Sequence, residues 1–203
     1  MIALLLCCRS DGQPLSLKVA ANHRFFTTAD GKPFFWLGDT GWLLFVKCTR
    51  EDAVFYLDTR KQQGFNVVQV MVLHDFNNTK NVYGDWALND FDVSKPATTT
   101  GSDFRNADEY DFWDHVDFII DEAAKRGIYM ALVPTWGSNV KSGKINEQQA
   151  ETYAKFLAKR YRNKSNIIWL NGGDINGKDG YAVWEKIGST IKKYIFNTDI
   201  QGC

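Results

Sequence analysis

Lys61-Gln62-Gln63-Gly64-Phe65-Asn66-Val67-Val68-Gln69-Val70 and Ala124-Lys125-Arg126-Gly127-Ile128-Tyr129-Met130-Ala131-Leu132-Val133 are the stretches on which the fold turns. Each reads as a helix end, a glycine at the C-cap, and then a nearly continuous apolar segment. Apolar runs without alternation are the pattern of strands buried on both faces, and such strands make parallel sheets. The same junction occurring twice is the rhythm of a βα repeat.

Working outward, four such runs are visible: Phe34 to Gly38, Asn66 to Leu73, Ile128 to Thr135 and Asn166 to Leu170. Between them lie helical stripes. Thr49 and Asp52 resemble a capping box ahead of Ala53 and Leu57. Phe112, Val116, Ile119 and Ala123 form a second stripe. Asn146 with Gln149 opens a third, carrying Ala150, Tyr153, Ala154, Leu157 and Tyr161. Val183, Trp184, Ile187 and Ile191 form a fourth. Ahead of the first strand, Leu17 to Thr28 with Asp30-Gly31 reads as a small hairpin capping the sheet. Phe76 to Tyr110 is a long polar stretch after the second strand, and a loop of that length in a compact domain is usually functional. Four βα units fit a (β/α) barrel, which needs about 250 residues when complete, or a small doubly wound sheet.

The chain has 203 residues, one domain or a piece of one, and 44% of them are hydrophobic. Lys plus Arg and Asp plus Glu number 24 each, so no electrostatic footprint points to nucleic acid or an anionic membrane. Seven Trp and eight Tyr serve either core packing or the flat faces of sugar rings. The apolar start MIALLLCC is far too short to span a bilayer. It reads as a signal-peptide remnant or a mis-started leader, so residues 1–14 are set apart from the domain at 15–194 and a divergent tail at 195–203. The corresponding expectation is a secreted or periplasmic protein. Lipidation of Cys7 or Cys8 is an option that the flanking residues fit poorly. No CxxC or Cys/His cluster suggests zinc or a disulfide framework. GxGxxG, GxxxxGK[ST], GxSxG and HExxH are all missing, and no cofactor or metal is called for.

Polar and aromatic groups gather at the ends of the four candidate strands. Asp39, Thr40 and Trp42 follow the first, His74 and Asp75 the second, Trp136 the third, and Asn171, Gly172, Gly173 and Asp174 the fourth. A series of this kind on one end of a parallel sheet reads as an active-site rim. Each member alone has a plainer reading. Asp39 could cap a helix, His74 could be a satisfied buried histidine, Trp136 could be packing, and Asp174 could cap a helix or make an Asx turn. Asp174 is the strongest candidate. Trp169 and Leu170 give its strand an apolar setting, the kind that keeps a carboxyl group able to donate a proton. The paired glycines allow a sharp turn and leave room for a ligand. A metal held by Asp39, Asp75 and Asp174 is a further, weaker option.

Four stretches carry a family resemblance: DGKPFFWLGDTGW (30–42), QQGFNVVQV (62–70), YDFWDHVDFIIDEAAKRGIYMALVPTWG (110–137) and IIWLNGGD (167–174). Together they resemble the apiosidase-like family of bacterial glycoside hydrolases, whose catalytic domain is a (β/α)8 TIM barrel. The resemblance spans roughly Leu17 to Tyr194. It implies an α/β chain truncated after about four βα units. It implies a retaining glycosidase acting on side chains of plant cell-wall polysaccharide such as pectin. Asp174 would be its acid/base and would work with a second carboxylate about 5–5.5 Å away. Asp39, Thr40, Trp42, His74, Trp136 and Asn171 would bind the oligosaccharide. In the family the nucleophile is a Glu in the second half of the barrel, which the stretch from Ile195 to Cys203 does not supply. The expectation is therefore little or no activity from this chain alone, and association through an open sheet edge. The competing readings are a non-catalytic carbohydrate-binding α/β protein and a small, metal-assisted α/β hydrolase.

Overall fold

The computed structural model describes residues 17–196, so the leader with Cys7 and Cys8, and residues 197–203 of the tail, lie outside the described residues. The N-terminal segment forms an antiparallel sheet of three very short strands, β1 (Lys18–Val19), β2 (Phe26–Thr27) and β3 (Pro33–Phe34). The β2–β3 turn is the Asp30-Gly31 site. Thr28 N–H donates to the Lys32 carbonyl, and Gly31 takes φ +84°, a conformation glycine adopts without steric cost.

A second sheet follows, parallel throughout and ordered β4-β5-β6-β7. Its strands are β4 (Gly38–Thr40), β5 (Val67–Leu73), β6 (Tyr129–Thr135) and β7 (Ile167–Trp169). A short helix α1 (Leu44–Lys47) and the longer α2 (Arg50–Gln62) connect β4 to β5. α3 (Phe112–Lys125) leads into β6. α4 (Gly137–Lys141) and α5 (Glu147–Tyr161) separate β6 from β7, and α6 (Tyr181–Phe196) follows β7. All crossovers are helical, as parallel pairing requires.

The Gly64 and Gly127 junctions share one hydrogen-bond pattern. Phe65 N–H donates to the Arg60 carbonyl across Gly64 (φ +87°), and Ile128 N–H donates to the Ala123 carbonyl across Gly127 (φ +70°). These are Schellman-type helix ends. The capping boxes at Thr49/Asp52 and Asn146/Gln149 are formed, and a further one joins Asp111 to Asp114.

The first barrel strand differs from the sequence expectation. Phe34 belongs to the antiparallel cap, Phe35 is 78% exposed, and the parallel strand begins only at Gly38. Asn66 holds the linker between them, its Nδ2 donating to the Phe35 carbonyl and its Oδ1 accepting from Leu37 N–H. The apolar run Phe34–Leu37 is thus not a doubly buried strand.

One face of the parallel sheet packs on the helices, with Val68, Val70, Met130 and Leu132 meeting Leu57, Ile119, Leu157 and Ile187. The other face, the interior side, is built in rows set by strand register. Gly38, Val67 and Tyr129 make the lowest row, and Thr40, Gln69, Ala131 and Ile168 the next. The β1–β3 sheet closes the lower end, where Phe34 meets Tyr129 edge-on with centroids 5.2 Å apart. Among the described residues β7 pairs on one side only, and an apolar hollow of about 600 Å³ lies beside it, lined in part by Ile167, Ile168, Ile191 and Ile195.

Candidate active site

A cleft of about 290 Å³ opens at the C-terminal ends of the parallel strands. It is lined by Trp42, Gln69, Val133, Trp136, Leu170, Asn171 and the Gly172-Gly173-Asp174 turn. A larger hollow, about 830 Å³ around Arg50, Phe55 and Phe104, lies on the outer surface between α2 and the loop that precedes α3. It is remote from the strand ends, where α/β sheets carry their chemistry, so size does not decide the site here.

The rim is braced from behind. Trp136 N–H donates to the Leu73 carbonyl, which joins the ends of β5 and β6. Asn139, buried in α4, donates from Nδ2 to the His74 carbonyl at 2.9 Å and to Thr135 Oγ1 at 3.2 Å. Tyr153 OH reaches from α5 to the Pro134 carbonyl at 2.8 Å. Trp42 and Trp136 then stand with ring centroids 5.2 Å apart and planes tilted by 56°, giving the cleft an aromatic wall.

Asp174 is exposed at the rim, and its carboxylate accepts no hydrogen bond from the described residues. It sits seven residues before the first residue of α6, so it caps no helix. Of the two residues expected to give it an apolar setting, Trp169 faces the helix core, while Leu170 packs in the interior cluster and lines the same cleft. The paired glycines have distinct reasons. Gly172 takes φ +146°, a conformation side chains rarely adopt, while Gly173 lies against the backbone of Gly137.

Residues 20–201 match the family model described as apiosidase-like, catalytic domain. The chain belongs to that family. A solved structure titled glycoside hydrolase is 40% identical, with a TM-score of 0.80 over 93% of this chain and 40% of its own. A glycoside hydrolase family 5 protein from Bacteroides vulgatus ATCC 8482 is 38% identical, with a TM-score of 0.79 over 92% of this chain and 38% of its own. This chain thus spans about two fifths of those relatives' length. The endo-1,4-beta-mannanase of Rhizomucor miehei, 14% identical with a TM-score of 0.59 over 88% of this chain and 57% of its own, shares the fold alone. No curated protein matches. The architecture is that of a TIM-barrel glycoside hydrolase, of which the described residues contain four consecutive βα units.

In this apiosidase-like chain, four of the sequence-derived site residues meet in the cleft: Trp42, Trp136, Asn171 and Asp174. Asn171 is partly committed, since its Nδ2 donates to the Trp184 carbonyl of α6 at 2.9 Å. Thr40 is exposed on the interior side, level with Gln69, but does not line the cleft. His74 is also exposed, which removes the buried-histidine reading, and it stands outside the cleft wall.

Asp39 points the other way, to α2. Its Oδ2 accepts from Tyr56 OH at 2.7 Å and from Arg60 Nε. Burial opposes ionisation there, but the Tyr56 and Arg60 hydrogen bonds outweigh it and hold the carboxyl below its ordinary range. Asp75 is likewise spoken for. Lys144 at 2.9 Å and Asn78 at 2.8 Å hold it at a pKa of about 2. These commitments separate Asp39 and Asp75 from Asp174, so the three do not converge as a cation site. His115 is the buried histidine of the chain. It lies between Tyr110 OH and the Cys48 carbonyl, both at 3.1 Å, and burial lowers its pKa.

The residue that sequence reasoning passed over is Gln69. It is the lone polar side chain in Val67–Leu73, and that contrast within an apolar strand was the available signal.

Proposed function

We propose that the chain contributes the acid/base half of a glycoside hydrolase acting on side chains of plant cell-wall polysaccharide such as pectin. The observation that carries this reading is the cleft itself: a carboxylate, Asp174, at the rim of an aromatic-walled site on the C-terminal ends of the strands. The tilted pair Trp42 and Trp136 suits the apolar face of a sugar ring. Asp174, unencumbered and solvent-facing, would protonate the leaving glycosidic oxygen and then take a proton from attacking water. A retaining mechanism also needs a second carboxylate about 5–5.5 Å away as nucleophile. Among the described residues Asp174 is the one carboxylate that lines the cleft. That observation favours a second reading for the chain by itself, in which it binds oligosaccharide without cleaving it. Encounter with such a substrate fits a secreted or periplasmic location.

The test incubates the chain with an apiose-bearing pectin oligosaccharide and follows binding and free apiose by NMR. Binding without release is the expected outcome. Release that disappears in Asp174→Asn would place the nucleophile within this chain. Release that survives Asp174→Asn would refute the acid/base assignment, and no binding would refute the carbohydrate reading.

A further inference from the structure

We propose that Gln69 is a substrate-recognition residue, its side-chain amide hydrogen-bonding a hydroxyl of the sugar seated against Trp42 and Trp136. The inference rests on the carbohydrate reading above and supplies a polar contact which that reading leaves unassigned.

Strand register fixes where Gln69 points. It is level with Thr40 on β4 and Ala131 on β6. Asp39, the neighbour of Thr40, is bound to α2, so the row Thr40–Gln69–Ala131 faces the interior. Ile168 continues the row on β7. Val67, one row below Gln69, packs in the interior cluster with Tyr129 and Ala131. Branched apolar residues dominate interior layers of this kind. A primary amide there carries two donors and a two-lone-pair acceptor, and it opens on the cleft.

Among the described residues the Gln69 side chain makes no hydrogen bond, while its backbone carbonyl is already engaged by Gly41 N–H at 2.9 Å. The amide does have an outlet, because Gln69 is half-buried and lines the cleft. A sugar hydroxyl both donates and accepts, which an amide can match on both counts. Asn171, the other amide of the cleft, has its Nδ2 committed to α6.

The experiment titrates the apiose-bearing pectin oligosaccharide into wild-type chain, Gln69→Leu, Gln69→Met and Trp136→Ala, following tryptophan fluorescence, with a thermal melt of each. Losing one hydrogen bond to ligand weakens binding roughly five- to tenfold. The expected result is that loss in both Gln69 variants with a melting temperature equal to or above wild type, since among the described residues none bonds the amide that has been removed. Binding by both variants within twofold of wild type, while Trp136→Ala binds weakly, overturns the role of Gln69 and leaves the carbohydrate reading intact. Melting well below wild type in both variants overturns it as well, because Gln69 would then be structural. No binding by the wild-type chain overturns both readings together.

Discussion

A Cβ added to Gly173 would stand 2.5 Å from the backbone nitrogen of Gly137 and 2.9 Å from its Cα. The turn that presents Asp174 is therefore packed backbone on backbone against the start of α4, directly after Trp136. Gly173→Ala has to push these segments apart, because no flexible side chain is available to yield. Overpacking of this kind costs about 1–3 kcal/mol. The expected outcome is a melting temperature lowered by several degrees, with oligosaccharide affinity falling at the same time, since Trp136 and Asp174 are displaced together. A melt and a fluorescence titration of the variant check both effects.

The Asp39 contact with Tyr56 and Arg60 makes a different kind of prediction. Asp39 braces β4 to α2 and does not reach the cleft. Asp39→Ala should destabilise the fold by about 1–3 kcal/mol, because Tyr56 and Arg60 lose their acceptor. Ligand affinity should stay within twofold. Loss of affinity without loss of stability would return Asp39 to the binding site.

The Asp75–Lys144 pair ties the start of the long loop to the segment after α4 and has a definite pH signature. The folded carboxyl titrates at about 2, below its ordinary value of 3.8. A depressed carboxyl stabilises the fold above the unfolded value and loses that contribution as pH falls toward the folded one. Wild type should therefore exceed Asp75→Asn in urea midpoint at neutral pH. The gap should close progressively as the pH drops from about 4 to about 2. A gap independent of pH would mean that the ion pair contributes nothing.

Among the described residues one side of β7 is unpaired, which leaves backbone donors and acceptors next to an apolar hollow. Such edges promote association, and a charge placed on them suppresses it. Sedimentation over a range of concentrations should show the chain self-associating, and Ile168→Lys should shift it toward monomer with its helical signal retained. A wild-type chain that stays monomeric throughout would contradict this.

These contacts also mark what a sequence can disclose. β5 and β6 were legible because local signals agree: a stretch of helix, a left-handed glycine, then seven residues with no exposed side chain. Thr49 and Asn146 announced their helices through a partner three residues on, whereas the Asp111–Asp114 box departs from the usual Ser/Thr–Glu pattern. β4 was misplaced because its residues, Gly-Asp-Thr, are polar and its neighbours Phe34 to Leu37 are apolar. The charge of Asp39 is satisfied by residues 17 and 21 positions away, which no local pattern reveals. At the site, Trp42, Trp136, Asn171 and Asp174 could be read because each follows a strand. Gln69 lies inside a strand, where its polarity within an apolar run is the single mark it leaves in the sequence. The purpose of Gly173 depends on the approach of Gly137 from another βα unit, and that meeting exists only in the folded chain.

In the proposed function the cleft carrying Trp136 and Asp174 binds carbohydrate, with the tryptophan supplying affinity and the carboxylate chemistry. Calorimetric titration of an apiose-bearing pectin oligosaccharide into wild type, Trp136→Ala and Asp174→Asn tests it most directly. The expected result is saturable binding by wild type, roughly tenfold or greater weakening in Trp136→Ala, and near wild-type affinity in Asp174→Asn. Absence of binding by a folded wild-type chain, or binding that Trp136→Ala leaves untouched, would contradict it.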